Sequence, residues 1–431
     1  MSLGERILSR DARVGIIGMG YVGLPLAVAV ARAGFRVTGI DVDKAKVSSI
    51  NDGISYIPDI GSALVSSSVT DGLFSATADF SVLKEMDIIS ICVPTPLSEM
   101  HEPDISYIRS ATGEIAKHLR PGQMVILEST TYPGTTDEVI LPVLEESGLT
   151  VGEGFYLGFS PERVDPGNQN FGMENTPKVV GGVTGACIEL ASLFYSQFVQ
   201  MVVPVSSTKA AEMTKLLENI FRCVNIALVN ELMLLCDRMD IDIWEVVEAA
   251  SSKPFGFMPF FPGPGLGGHC IPIDPFYLSW KARQYDFHTE FIELAGKMNE
   301  SIPYYVVSKI GDALNSHEKS IKGSNVLILG LAYKKDIGDT RESPAIKIIS
   351  LLEKKGANVS YHDPYAEREI IDTKTYTSVE LTQETVSASD CIVVVTDHTD
   401  VDYGMVADNA RLVVDTRNRM KHFAGNHIVH I

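Results

Sequence analysis

The chain has 431 residues, too many for one ordinary hydrophobic core, so two or three domains are expected. Its 45% hydrophobic and 21% charged content is that of a globular protein and excludes a disordered one. A formal net charge of −19 argues against nucleic acid or an anionic membrane as the main partner, and an anionic ligand would need local Lys or Arg set against that field.

Along the chain, no window holds the roughly 18 uninterrupted apolar residues of a membrane span. The N-terminus carries Glu5, Arg6, Arg10, Asp11 and Arg13 ahead of its first apolar strand, with no secretory apolar stretch. Six scattered cysteines form no CxxC pair and show no metal-ligand spacing, and ten histidines include no HExxH. Reduced thiols, a cytoplasmic location and no bound metal are expected.

From residue 14 to about 204 strands alternate with helices, the pattern of a parallel sheet with crossovers. Short apolar runs lie at Val14–Ile17, Val37–Ile40, Ile88–Val93, Met124–Leu127 and Tyr156–Phe159. The loops after them are Gly18–Gly23, Asp41–Asp43, Pro94–Pro96, Ser129–Gly134 and Ser160–Gly167. Ligands of doubly wound sheets bind beyond the carboxyl ends of strands, so these loops are expected to share one crevice. Ser206 to about Lys253 lacks Gly and Pro and carries Met213, Leu216, Leu217, Ile220, Val224, Leu228, Leu232 and Leu235 at helical spacing. That predicts a long helix followed by at least one more, serving as spacer and homodimer interface. From Asn325 the alternation resumes. Asn325–Leu329 reads as a strand and Gly330–Glu342 as a loop. Ser343 and Pro344 read as an N-cap and first helical residue, in a helix running to Lys354-Lys355 and closing at Gly356. Val359–Tyr361, Cys391–Val395 and Arg411–Val414 supply further strands. The expected fold is α/β, with two Rossmann-like doubly wound domains (1–205 and 316–431) joined by a central long-helix domain (206–315). The two α/β halves share no clear sequence repeat.

The segment VGIIGMGYVGLPLAVAVARAGFRVTGID fits a dinucleotide fingerprint. Gly18, Gly20 and Gly23 permit a tight turn, close approach of backbone to pyrophosphate, and close helix–strand packing. A helix beginning around Tyr21, Val22 and Leu24 directs its N–H groups and dipole at the phosphates. Asp41 stands 23 residues after Gly18, at the end of the next strand, where it can accept from both ribose hydroxyls and repel a 2′-phosphate. The expected cofactor is therefore NAD rather than NADP. Thr95, in the loop after Ile88–Val93, is assigned to the same cofactor site. A bare glycine motif is weak evidence; its place between strand and helix, with an acidic strand end following, makes it strong.

A second candidate site is FFPGPGLGGHCIPIDPFYL, where Cys270 follows Gly263, Gly265, Gly267 and Gly268 in a loop whose backbone can approach a bulky ligand. Asp274 lies four residues on, near the thiol's surroundings if a turn of helix follows. A lone cysteine is more often packing than a nucleophile, and the other five fit that plainer reading. Cys270 stands apart because its loop has no apolar strand or helix around it.

Four blocks, GMGYVGLPLA, FSPERVDPGN, EMTKLLENIFR with GPGLGGHCIPIDP, and GLAYKKDIGDTRESPA, resemble the family of UDP-glucose and UDP-N-acetylhexosamine 6-dehydrogenases. The match runs from about Arg13 to Arg419. The resemblance implies that Cys270 attacks an aldehyde intermediate, passes to a thioester and is released by water, chemistry that a thiolate suits. It implies that Lys215 and Asn219, one helical turn apart, stabilise the developing oxyanion. Thr130, Glu162 and Asp274 align with water-handling and base residues, Glu162 as the expected base in thioester hydrolysis and Asp274 orienting its neighbours, although which carboxylate takes which step stays open. Glu162, Arg163, Lys215, Asn219, Gly267 and Lys334 are the expected contacts of the UDP-sugar, with the uridine diphosphate on the C-terminal half and Arg341 on the cofactor side. The wording around Glu162 and Cys270 most resembles the branch acting on UDP-N-acetylglucosamine or its galacto epimer, with Arg163 and Asn168 set to meet the N-acetyl group. UDP-glucose and UDP-N-acetylmannosamine remain alternatives.

Two rival readings are weighed by the same residues. A β-hydroxyacid dehydrogenase takes one hydride step and needs no thiol. An inactive NAD-binding sensor would keep Gly18, Gly20, Gly23 and Asp41 but not Cys270 together with Lys215, Asn219 and Asp274.

Overall fold

The computed structural model describes every residue except 58, 59, 99–101, 166, 169 and 269. Pro166 and His269, which belong to two of the motif blocks, lie outside the described residues. The chain divides into two compact units, Met1–Glu218 with Phe276–Phe287, and Asn219–Pro275 with His288–Ile431.

In the first unit eight strands form one sheet: β1 Arg13–Ile17, β2 Arg36–Ile40, β3 Phe74–Thr77, β4 Ile88–Ile91, β5 Met124–Leu127, β6 Tyr156–Phe159, β7 Lys178–Gly182 and β8 Val202–Pro204. Their order is β3-β2-β1-β4-β5-β6-β7-β8. Strands β1 to β6 run parallel, Val14 pairing with both Val37 and Ile88. The period-2 alternation of strands sends Val14 and Ile16 to one face, with Leu24, Phe35 and Phe194, and Ile17 to the other, with Ile89, Leu127 and Phe159. Both faces are covered, which is why these strands read as unbroken apolar runs. The order reverses between β1 and β4, so the crevice beyond their carboxyl ends is the site where a ligand of such a sheet binds.

The strand reading anticipated a purely parallel sheet. Instead β7 runs antiparallel to β6 and β8 runs parallel to β7. Strand β8 is half exposed at the sheet edge and β3 is only four residues of mixed polarity, so neither carries an apolar run to detect.

The second unit contains a parallel five-stranded sheet of β9 Asn325–Leu329, β10 Asn358–His362, β13 Cys391–Val394, β14 Val413–Asp415 and β15 Ile428–His430, in the order β10-β9-β13-β14-β15. A separate two-stranded antiparallel hairpin is formed by β11 Arg368–Ile371 and β12 Lys374–Thr377. Here the order reverses between β9 and β13. Ser343 caps the helix Pro344–Lys354 by accepting the N–H of Ala345, with Pro344 as its first residue and Gly356 at φ 87 beyond its end. Ile328, Val393 and Val414 pack with Val306, Ile310 and Ile348 on one face; Leu327, Leu329 and Ile392 pack with Val406 on the other.

The long helix spans Thr208–Met239 and is followed by Ile243–Ser251. Asp240 breaks it at φ 56, and the Asp242 carboxylate caps the next helix by accepting from Trp244 and Glu245. An 18-residue window of Thr208–Met239 has mean hydropathy 1.4, so by length and composition it is one helix, among the described residues, that could cross a membrane. It nevertheless buries Glu212, Lys215, Asn219 and Asn230, as a helix lining a polar site does.

Candidate active site

In the first unit the glycine turn has the geometry a dinucleotide needs. Gly18 takes φ 92, where a Cβ would sit 2.6 Å from the Cys92 carbonyl oxygen, and a Cβ on Gly23 would sit 1.8 Å from the Gly18 carbonyl oxygen, so the strand and helix meet only because Gly23 lacks a side chain. A Cβ on Gly20 would meet no protein atom within 4 Å, so packing does not require that glycine. Among the described residues no side chain caps the helix Gly23–Arg32, whose first turn follows Tyr21 and Val22, leaving its N-terminus to an anion. Asp41 is buried at the end of β2, with Oδ2 accepting the Met19 N–H at 2.8 Å and Oδ1 that of Asp43 at 2.9 Å. Thr95 bridges neighbouring loops: its hydroxyl donates to the Thr130 carbonyl at 2.8 Å.

Beyond β6 in the same unit, Glu162 Oε1 accepts the N–H groups of Arg163 and Val164, both at 2.7 Å. Burial by itself raises its carboxyl, but the charge of Lys178, the Val164 N–H, the charge of Lys215 and the Arg163 N–H together hold it below the ordinary carboxylate range. Lys215 is 7% exposed, not the solvated lysine that most helical lysines are. The Arg163 guanidinium is engaged by Glu218 at 2.6 Å and by the Pro177 carbonyl at 2.6 Å, which ties the Glu162 loop to the long helix. Among the described residues no hydrogen bond involves the Thr130 hydroxyl.

In the second unit the half-buried Cys270 opens a turn in which Asp274 donates its N–H to the Cys270 carbonyl at 2.8 Å, and the helix Asp274–Ala282 follows. The Asp274 carboxylate, 2% exposed, accepts from the Asn219 amide, whose oxygen accepts from Arg222 at 2.6 Å. Both ends of the Asn219 side chain are therefore fixed. Gly268 donates its N–H to the Arg341 carbonyl at 3.0 Å, while the Arg341 guanidinium forms a bidentate pair with Asp339. A cleft of about 180 Å³ is lined by Gly263, Gly267, Ile271, Tyr333, Lys334 and Arg417. Lys334 and Arg417 follow β9 and β14 at their carboxyl ends.

Three family models cover most of the chain. They are the UDP-glucose/GDP-mannose dehydrogenase family's NAD binding domain over residues 12–199, its central domain over 209–301 and its UDP binding domain over 327–422. The chain belongs to the UDP-glucose/GDP-mannose dehydrogenase family. It is similar to the UDP-N-acetyl-D-glucosamine 6-dehydrogenase of Pseudomonas aeruginosa, 36% identical over 84% of each chain. It is also similar to the UDP-N-acetyl-D-mannosamine dehydrogenase of Campylobacter jejuni, 39% identical over 80% of this chain and 84% of that one. Among solved structures it matches that of UDP-D-ManNAc dehydrogenase from Pyrococcus horikoshii, with TM-score 0.89, 32% identity and coverage of 97% and 99%. As a member of this family the protein is an NAD-dependent nucleotide-sugar dehydrogenase, and its second α/β unit carries the UDP-binding domain.

Sequence reasoning missed Arg417. It is drawn into the cleft wall by its Nε, which donates to the Val395 carbonyl at 2.8 Å, and burial lowers its pKa against the opposing charges of Asp397 and Asp415. The only local signal was its place directly after the apolar run LVVDT, just beyond a strand end.

Proposed function

We propose that the enzyme oxidises the C6 hydroxymethyl of a UDP-N-acetylhexosamine, UDP-N-acetylglucosamine first among them, to the carboxylate in two oxidations, through a thiohemiacetal and a thioester on Cys270. The observation that carries this reading is the setting of Cys270. It is half-buried in a turn between the glycine loop and a helix and joined by one backbone bond to Asp274, which fixes Asn219, whereas Cys92, Cys187, Cys223 and Cys391 are buried and the half-buried Cys236 packs against the core from the long helix.

Gly18, Gly20, Gly23 and the uncapped helix following Val22 hold the NAD diphosphate in this proposal, with Asp41 at the ribose and Thr95 and Arg341 on the cofactor side. When bound, NAD accepts two electrons and a proton at each oxidation. Lys215 and Asn219 donate to the sugar oxygen as charge develops on it, in a buried place where such a donor is worth most. The Cys270 thiolate adds to the aldehyde carbon, and the second oxidation leaves an acyl–sulfur bond. Glu162 takes a proton from the water that cleaves this bond, returning the thiol and releasing the acid, while Thr130 and Asp274 hold neighbouring groups in place. Lys334 and Arg417 oppose the charge of the uridine diphosphate, with Gly267 letting Tyr333 pack against the cleft wall, where a Cβ would sit 2.4 Å from the Tyr333 Cβ. Arg163 serves the site by bracing the Glu162 loop. A cytoplasmic homodimer is proposed, associating through the exposed apolar face of the long helix; six cysteines that form no disulfide accord with a reducing compartment.

The test is NADH production over a panel of UDP-sugars with and without the N-acetyl group. Two NADH per sugar are expected, with the gluco and manno N-acetyl substrates separating the two names carried by the relatives. Cys270→Ser should lose the second oxidation; four-electron turnover in that variant rules out the thioester route.

A further inference from the structure

Beside Glu162 the first unit buries Lys178, Glu128 and Tyr195, to which the reaction above gives no task. Lys178 opens β7, and because β7 runs antiparallel to β6, its first residue is delivered to the sheet edge where β5 and β6 end. Phe159 pairs with Gly181, and continuing that register sets Lys178 opposite Glu162. The Lys178 ammonium, 5% exposed, donates to Glu128 Oε2 at 2.7 Å and stands 3.6 Å from Glu162 Oε2. Glu128 Oε1 accepts the Tyr195 hydroxyl, and Lys178 lies 5.3 Å from the centre of that ring. Among the described residues no donor comes within hydrogen-bond distance of the buried Glu162 Oε2.

One cation is thus shared by two carboxylates in a site where an isolated carboxylate would take up a proton. Among the described residues the charged and titratable groups around Glu162 are Lys178 and Lys215, then Glu128 and Tyr195 beyond Lys178, both pushed up by burial, and Cys92, whose thiol burial pushes well up so that it stays neutral. Arg163 is neutralised by Glu218. Lys178 is held charged: burial works against its proton, but Glu128 and Glu162 outweigh burial.

We propose that Lys178 is a positioning residue for this reaction, clamped by Glu128 and Tyr195 as the fixed counter-charge that keeps Glu162 an anion with Oε2 left to accept a proton. The proposal rests on the assignment of Glu162 as the base. Its sign is testable because Lys178 and Glu128 carry opposite charges. Lys178→Met removes the cation, so the acidic limb of the kcat–pH profile should move up by about one pH unit or more, with the KM for UDP-sugar little changed. Glu128→Gln leaves Lys178 with Glu162 as its one carboxylate, so the limb should move down; this variant carries the test if Lys178→Met does not fold. Glu162→Gln should abolish the limb. The same shifts should appear in the pH dependence of the difference in Tm between each protein that keeps Glu162 and the same protein carrying Glu162→Gln, which reads the carboxyl without turnover. A limb that survives Glu162→Gln removes the base assignment and this proposal with it. A limb abolished by Glu162→Gln but unmoved in Lys178→Met or Glu128→Gln overturns the role of Lys178 alone.

Discussion

Asp41 accepts one backbone N–H on each carboxylate oxygen, from Met19 and from Asp43, so it shapes the glycine turn in addition to the ribose role proposed for it. Removing it has two consequences. Asp41→Ala takes away the charge proposed to repel a 2′-phosphate and also frees the Met19 N–H. We therefore expect the ratio of kcat/KM for NAD over NADP to fall about tenfold or more, near 1.4 kcal/mol, together with a raised KM for NAD. Unchanged discrimination between the two cofactors would remove the ribose role. The glycine turn and the buried acid at the end of β2 were legible as local structure because their signal is local: the spacing of Gly18, Gly20 and Gly23 and an acid at a strand end. Lys178 was not, since its partner Glu128 lies 50 residues away and nothing near either one announces the pair.

At the scale of elements, the second unit repeats the device of the first without repeating its sequence. Asp363 follows β10 as Asp41 follows β2, and its Oδ2 accepts the N–H groups of Leu331 and Ala332 in the loop after β9. Burial alone would raise this carboxyl, but His398 and the backbone N–H groups of Ala332 and Tyr365 hold it below the ordinary range. His398, fully buried after β13, accepts the Asp336 N–H on Nδ1 at 3.0 Å and meets Asp363 through Nε2 at 3.0 Å. A backbone N–H can only donate, so Nδ1 is the acceptor here and Nε2 is the ring nitrogen turned to Asp363. The loop bearing Tyr333 and Lys334 is thereby pinned to two strand ends. His398→Phe fills the space but strands the Asp336 N–H and takes a donor from Asp363, a loss of about 1–3 kcal/mol in stability. Thermal unfolding should register that loss, and the KM for UDP-sugar should rise while that for NAD holds. An equal rise in both would show that the loop is not specific to the nucleotide-sugar side. The charge-rich loop KKD offered no hint of this anchoring, because its partners come from β10 and from the turn after β13.

On the scale of the whole molecule, each unit has its own sheet and core, and the helix Thr208–Met239 runs from one unit into the other. Along it Leu217, Phe221, Leu228, Leu232, Leu235 and Met239 are each 41–59% exposed, an apolar row at helical spacing. Covering a leucine fully is worth about 1.5–3 kcal/mol, so such a row can hold two copies together. Leu228→Glu combined with Leu232→Glu should halve the mass measured by light scattering, from twice 47.0 kDa to 47.0 kDa, with the fold of each unit intact. A wild-type protein of 47.0 kDa would end the dimer proposal. The amino-acid order by itself determined the dinucleotide turn, the alternation of strands and helices, the long helix and the singular setting of Cys270, because each is written in contiguous residues with a period or a spacing. Tertiary structure alone decided that β7 runs backwards and so brings Lys178 to Glu162, that Arg417 enters the cleft beside Lys334, and that Asp274 fixes Asn219. Those placements depend on which distant segments share an edge, and packing of the assembled sheets settles that where no local pattern can.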